Sequence, residues 1–135
     1  PVDIAVPCAT QNELDVEDAV RIVVNNVHYY VEGANMPATS DALNLLRLSP
    51  RVLTAGSKAS GTGGVVVSAL EMVQNSLRYS WTRQEVDARL KQIMSDIYDA
   101  SAAAAEEYDL GYDLIAGNDI AAFKKISAAM IAQGL

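Results

Sequence analysis

Three short apolar runs in the first part of the chain each lead into a loop of small, amide or glycine residues, and helical patterns stand between them. This order constrains the fold more than any other feature. The first run, Val2 to Val6, is closed by Pro7 and is too uniformly apolar for a strand with one face in water, so it suits a buried parallel strand with Asp3 at its start. Asp15, with Asp18 three residues on, forms an acidic helix start. Val16, Ala19, Val20 and Val23 then recur at helical spacing as far as Asn25-Asn26. Val27 to Glu32 carries the β-prone Tyr29, Tyr30 and Val31 into a second loop, Gly33 to Thr39. Thr39 or Ser40 caps a helix through Leu43, Leu45 and Leu46, which Pro50 stops, and Val52-Leu53 is a third short strand before the glycine-rich stretch Gly56 to Gly64. Strands joined through helices run parallel.

After Gly64 the pattern is helical to the end. Thr82 and Glu85 have capping-box spacing, and Val86, Leu90, Ile93, Ile97 and Ala104 mark one face of a long helix reaching about Glu107. Gly111 and Gly117 frame a loop, and Asn118 or Asp119 starts a last helix through Ile120, Phe123, Ile126, Ala129 and Met130, ended by Gly134. The chain therefore reads as an α/β unit with a partial parallel sheet, followed by a helical C-terminal segment. The division falls at residues 1–64 and 65–135. A start at Pro1 that runs at once into an apolar strand reads as a piece of a longer polypeptide.

Charge and cysteine usage narrow the partners. With 10 Lys and Arg against 17 Asp and Glu, the net charge of −7 argues against nucleic acid or an anionic membrane surface, both of which call for clustered cations. No apolar run approaches the roughly 18 residues of a membrane span, and no secretory signal pattern opens the chain. A single Cys excludes an internal disulfide framework. A reducing, cytoplasmic setting fits these features.

In open α/β sheets ligands bind beyond the carboxyl ends of the strands. Three segments occupy that position: Pro7 to Asn12, Glu32 to Pro37, and Gly56 to Gly64. Each alone is most simply a turn; following three successive strands, they make a binding cleft. The run Gly63-Gly64-Val65-Val66-Val67-Ser68-Ala69-Leu70 adds one hydroxyl to an otherwise apolar stretch whose valines are expected to be buried. Ser68 there calls for a partner, either a ligand or a carbonyl one helical turn back. His28 has no Cys or second His nearby, so it is no metal ligand but a partly exposed structural residue. Cys8 reads as a small buried thiol, and Asp96, Asp99, Glu106 and Glu107 as a solvated helix face. Gly56 to Thr62 has two glycines at P-loop spacing, but Thr62 stands where the phosphate-binding Lys is required.

The runs Pro7 to Asn12 and Glu32 to Pro37, then Gly63-Gly64-Val65 with Ser68, Glu71, Gln74 and Asn75, come in an order and spacing that resemble the C-terminal portion of the hexameric bacterial glutamate dehydrogenases. The resemblance continues through Trp81, Asp87 to Leu90 and Ile93 to Ile97 into Ala128 to Gly134, and so covers essentially the whole chain. It implies the C-terminal half of a Rossmann-like dinucleotide-binding domain, from an oxidoreductase that deaminates L-glutamate to 2-oxoglutarate and ammonia with NAD or NADP. On this resemblance Ala9 and Thr10 line the adenosine side of the cofactor and Asn35 reaches the nicotinamide ribose or carboxamide. Val65 walls the substrate's methylenes, and Ser68 bonds its side-chain carboxylate.

The same resemblance places the catalytic Lys and Asp and the lysines for the substrate's carboxylates outside this chain, and implies a homohexameric parent. No G-x-G-x-x-G follows a strand here, so the pyrophosphate turn lies elsewhere too. The chain departs from the family at Gly61-Thr62, where the family usually has Asn-Ala. Two other readings are a dehydrogenase for leucine, phenylalanine or valine, which an apolar residue at position 68 would favour, and a non-catalytic assembly module.

Overall fold

The computed structural model describes residues 2–134 as three short strands and six helices. β1 (Ile4–Ala5), β2 (Tyr29–Val31) and β3 (Leu53–Ala55) form a parallel sheet in the order β1-β2-β3, with Ile4 opposite Tyr29 and Tyr30 opposite Thr54. The crossover helices are α1 (Val16–Val24) and α2 (Ser40–Leu48), which pack against each other. Successive crossovers stepping the same way across a sheet, each right-handed, place both helices on one face. The core lies between that face and these helices: Ala19 from α1, Tyr30 from β2, Ala42 and Leu46 from α2, with Ala38 and Val52. Tyr30 and Leu46 are fully buried, and each such burial is worth about 2 kcal/mol.

Local chemistry sets the helix starts. Asp15 caps α1 by accepting from the backbone N–H of Glu17 and Asp18, and the Asp18 carboxylate accepts from the Asp15 N–H, so the acidic helix start is a full capping box. Thr39, not Ser40, caps α2. α3 (Ser57–Ser60) and α4 (Thr62–Leu77) follow β3, then α5 (Arg83–Glu107) and α6 (Leu114–Ala132). Thr82 and Glu85 close a second capping box on α5, and the backbone and hydroxyl hydrogen bonds from Thr82 hold the Glu85 carboxyl below its ordinary pKa.

Four expectations are corrected. The glycine-rich stretch Gly56 to Gly64 is not an open loop but holds α3 and the first turn of α4. Gly61 joins the two helices in a right-handed conformation, its N–H donating to the Ser57 carbonyl at 2.8 Å. Gly117 does not frame a loop either: α6 begins at Leu114 behind the Asp113 cap, and Gly117 lies inside it against α5. Val2, Ile4 and Val6 are exposed, because residues two apart share a face and theirs is the one turned away from α1 and α2, whereas Ala5 packs on the core. Cys8 is exposed as well, its Sγ donating to the Val6 carbonyl.

Candidate functional site

The loops that leave the three strands are tied into one surface. Asn12 donates from its backbone N–H to the Met36 carbonyl at 2.9 Å, and both residues hold positive φ, 56° and 51°. Gly33 and Ala34 donate to the Pro7 carbonyl, each at 2.9 Å, which ties the second loop to the first. An added Cβ on Gly33 would stand 3.3 Å from the Pro7 carbonyl oxygen and displace the Cys8 thiol, so the two loops lie close together here. The Met36 N–H reaches Ser57 Oγ at 3.4 Å, tying the second loop to the third.

These loops line a cleft of about 590 Å³ at the carboxyl ends of the strands. Gln11, Asn12 and Asn35 supply carboxamides, and Ala55, Met94 and Ile97 supply apolar wall. α5 and α6 form its far side, where Lys58 pairs with Asp119 at 3.0 Å. A hollow of similar size, about 600 Å³, lies at the opposite end of β2 and β3, beside the Arg47–Asp113 ion pair (2.6 Å). It is remote from the converging loops.

Of the five residues singled out for binding, the structure places Asn35 in the wall of the cleft. Ala9 and Thr10 are exposed in the first loop, whose next two residues, Gln11 and Asn12, line the cleft. The Ala9 N–H is held by Glu13 Oε1 at 3.0 Å. Val65 and Ser68 stand on α4 outside the cleft lining. The expected burial of the valine triplet is not met: Val65 is 71% exposed, Val66 and Val67 are half-buried, and no residue of α4 is buried. Ser68 is exposed and makes no hydrogen bond among the described residues, whereas Thr62 and Ser101 do bond carbonyls one turn back.

The burial of one site residue is not visible in the sequence. Glu32, directly after β2, is 1% exposed. A buried carboxylate persists only where donors surround it. Here Ser57 N–H donates to Oε2 at 2.8 Å and the Tyr30 hydroxyl to Oε1 at 3.2 Å, while the Ser60 hydroxyl bonds its carbonyl. The signal that could have found it is strand periodicity, since Tyr30 and Glu32 are two apart and share a face.

Burial, and after it the charge and hydrogen bond of Glu32, keep the Tyr30 phenol protonated well above its ordinary pKa of 10. The native state thus holds a proton that the unfolded chain releases near pH 10, so this contribution is complete below pH 10 and is lost as pH rises above it. Tyr30→Phe is expected to lower stability by about 1 to 2 kcal/mol at neutral pH and to flatten the alkaline decline. Urea midpoints measured between pH 7 and 11 check this, and an unchanged alkaline slope counts against it.

A parallel α/β unit with a loop-lined cleft at its strands' carboxyl ends is the class that fold and site define. The chain belongs to the Glutamate/Leucine/Phenylalanine/Valine dehydrogenase family, whose model matches residues 1–134. It is 58% identical over 134 residues to the NAD-specific glutamate dehydrogenase of Clostridium symbiosum, covering 99% of this chain and 30% of that protein. It is 51% identical over 137 aligned residues to the NADP-specific glutamate dehydrogenase of Psychrobacter sp. (strain TAD1), covering 98% of this chain and 30% of that one. A solved glutamate dehydrogenase structure superposes with a TM-score of 0.95 at 58% identity, over 98% of this chain and 30% of its own. The chain thus spans about 30% of the length of these relatives.

Proposed function

We propose that the chain is the C-terminal part of a glutamate dehydrogenase subunit. Residues 1–64 supply the second half of a Rossmann-like dinucleotide-binding domain, and residues 65–135 complete it and return toward a substrate domain. The observation that carries the reading is the amide-lined cleft at the carboxyl ends of a parallel sheet, in a chain 58% identical to a protein named as that enzyme. The side chains fit a nicotinamide dinucleotide: carboxamides offer both donor and acceptor to a carboxamide or ribose, and the apolar wall suits flat rings. When bound, NAD or NADP supplies the hydride acceptor for oxidation of L-glutamate to 2-oxoglutarate and ammonia.

In this reading Asn35 orients the nicotinamide end, Ala9 and Thr10 border the adenosine, Val65 packs on the substrate's methylenes and Ser68 bonds its distal carboxylate. Ser68 is free to do so, since it has no partner among the described residues. The acid–base groups come from the rest of the subunit, and the exposed apolar side chains of α4 and α6, such as Leu77 and Phe123, fit burial in a cytoplasmic homohexamer.

The test is NAD- or NADP-coupled oxidation by the subunit containing this chain, with glutamate compared against leucine, valine and phenylalanine. Glutamate is expected to be preferred by at least about 100-fold in kcat/KM, since a site built to bond a polar group rejects analogues lacking it. Preference for an apolar amino acid would overturn the substrate assignment. Residues 1–135 alone are expected to give no glutamate-dependent reduction of either cofactor.

A further inference from the structure

One buried side chain joins two loops of the cleft: Glu32 opens the second and accepts from the Ser57 N–H of the third. We propose that Glu32 is a positioning residue for cofactor binding: its carboxylate sets the Asn35 loop against the segment after β3, so that Asn35 is presented to the nicotinamide end of the cofactor. This rests on the role given to Asn35 above. Glu32 sits three residues before Asn35 and closes the strand that delivers it, and both line the cleft. Its Oε2 fixes the Ser57 N–H at 2.8 Å. Ser57 Oγ then accepts from the Met36 N–H, one residue beyond Asn35, at 3.4 Å. The circuit therefore runs from Glu32 through Ser57 to Met36 and brackets Asn35 on both sides.

Two further observations tie this circuit to the position of Asn35 and not to packing alone. Met36 holds φ +51°, a conformation a long side chain adopts only under constraint, and its carbonyl is pinned from the other side by Asn12 N–H. Gly56, beside the carboxylate, lies close against α6, where an added Cβ would stand 3.3 Å from the Ile115 side chain, so the segment that Glu32 holds also packs on the far wall of the cleft. Removing the carboxylate leaves the Ser57 N–H and the Tyr30 hydroxyl without acceptors in the interior, and the segment has to move to satisfy them.

The test is a cycle in the full subunit: Asn35→Ala, Glu32→Ala, the double variant, Glu32→Gln and Tyr30→Phe, each assayed for the KM of cofactor and of glutamate and for kcat. Glu32→Ala is expected to raise cofactor KM about 10-fold with a much smaller change in glutamate KM. The double variant should bind cofactor no worse than Asn35→Ala alone, because a residue that acts through another is not additive with it. Glu32→Gln keeps one acceptor for Ser57 and should restore cofactor KM to within about 3-fold of the parent. Should Glu32→Ala fail to fold, Tyr30→Phe, which loosens the carboxylate without touching the cleft, carries the test through a rise in cofactor KM of about 2-fold or more. A cofactor KM unmoved in these variants, or full additivity with Asn35→Ala, would overturn the proposal while leaving the role of Asn35 intact. An unmoved cofactor KM in Asn35→Ala alone would instead overturn the reading on which it rests.

Discussion

Gly117→Ala is expected to destabilise the fold by about 3 kcal/mol, although helix propensity predicts the opposite sign. Glycine inside a helix is roughly 1 kcal/mol less favourable than alanine, so at an exposed site the exchange would stabilise α6. Position 117 is not exposed: an added Cβ would collide with the Ser101 carbonyl oxygen and stand 3.0 Å from its carbonyl carbon and 3.1 Å from the Ala105 Cβ. The first two are backbone atoms of α5, which cannot swing aside as a flexible side chain can. The helices must separate, and overpacking of this kind costs typically 1 to 3 kcal/mol or more. Ala104 and Ala105 are buried on the same face of α5, so small residues on both helices make the close crossing possible. The effect reaches the cleft, because α6 presents Ile115, Asn118 and Asp119 to it from the same turns. The urea midpoint of the Gly117→Ala chain should fall well below that of the parent; a midpoint equal or higher would show that the crossing is looser than the structure has it.

The same glycine marks the boundary of what was legible in advance. Helix starts are local: the acidic pair Asp15 and Asp18 announces α1, and the capping-box spacing of Thr82 with Glu85 announces α5. Glycine carries an ambiguous signal: at Gly111, with φ +61°, and at Gly134, with φ +82°, it marks a turn, while at Gly117 it marks a close approach to the backbone of another helix. Only the tertiary partner separates the two cases, which is why residue type alone does not reveal that α6 already runs through Gly117. Glu32 was hidden for a related reason. An acidic residue between a strand and a glycine looks like a solvated end, and its burial depends on Ser57 and Ser60 arriving from far along the chain. The loops could be placed because they follow apolar runs, yet which residues of the first loop face the cleft depends on the Asn12 backbone turning through positive φ, which residue type alone does not dictate.

Ser68→Ala in the full subunit is expected to lower kcat/KM for glutamate by about 10- to 100-fold, with little change in cofactor KM. The magnitude follows from the partner proposed for the hydroxyl. A hydrogen bond to a charged group contributes about 1.5 to 3 kcal/mol, and each 1.36 kcal/mol is tenfold. Carbonyl back-bonding within α4 is the competing role for a helical serine, and the geometry disfavours it: Ser101 bonds the Ile97 carbonyl at 2.7 Å in this manner, whereas Ser68 forms no such bond among the described residues. Loss of fold would not mimic the effect. Alanine is the best helix former, Ser68 is exposed, and the exchange leaves stability equal or slightly raised. A rise in KM at unchanged kcat would show that the hydroxyl binds ground state and transition state alike, and a fall in kcat that it strengthens as the reaction proceeds. Glutamate kinetics unchanged in both parameters would remove Ser68 from the substrate pocket. Leucine or valine gaining what glutamate loses would show that this single hydroxyl sets the acidic preference of the site.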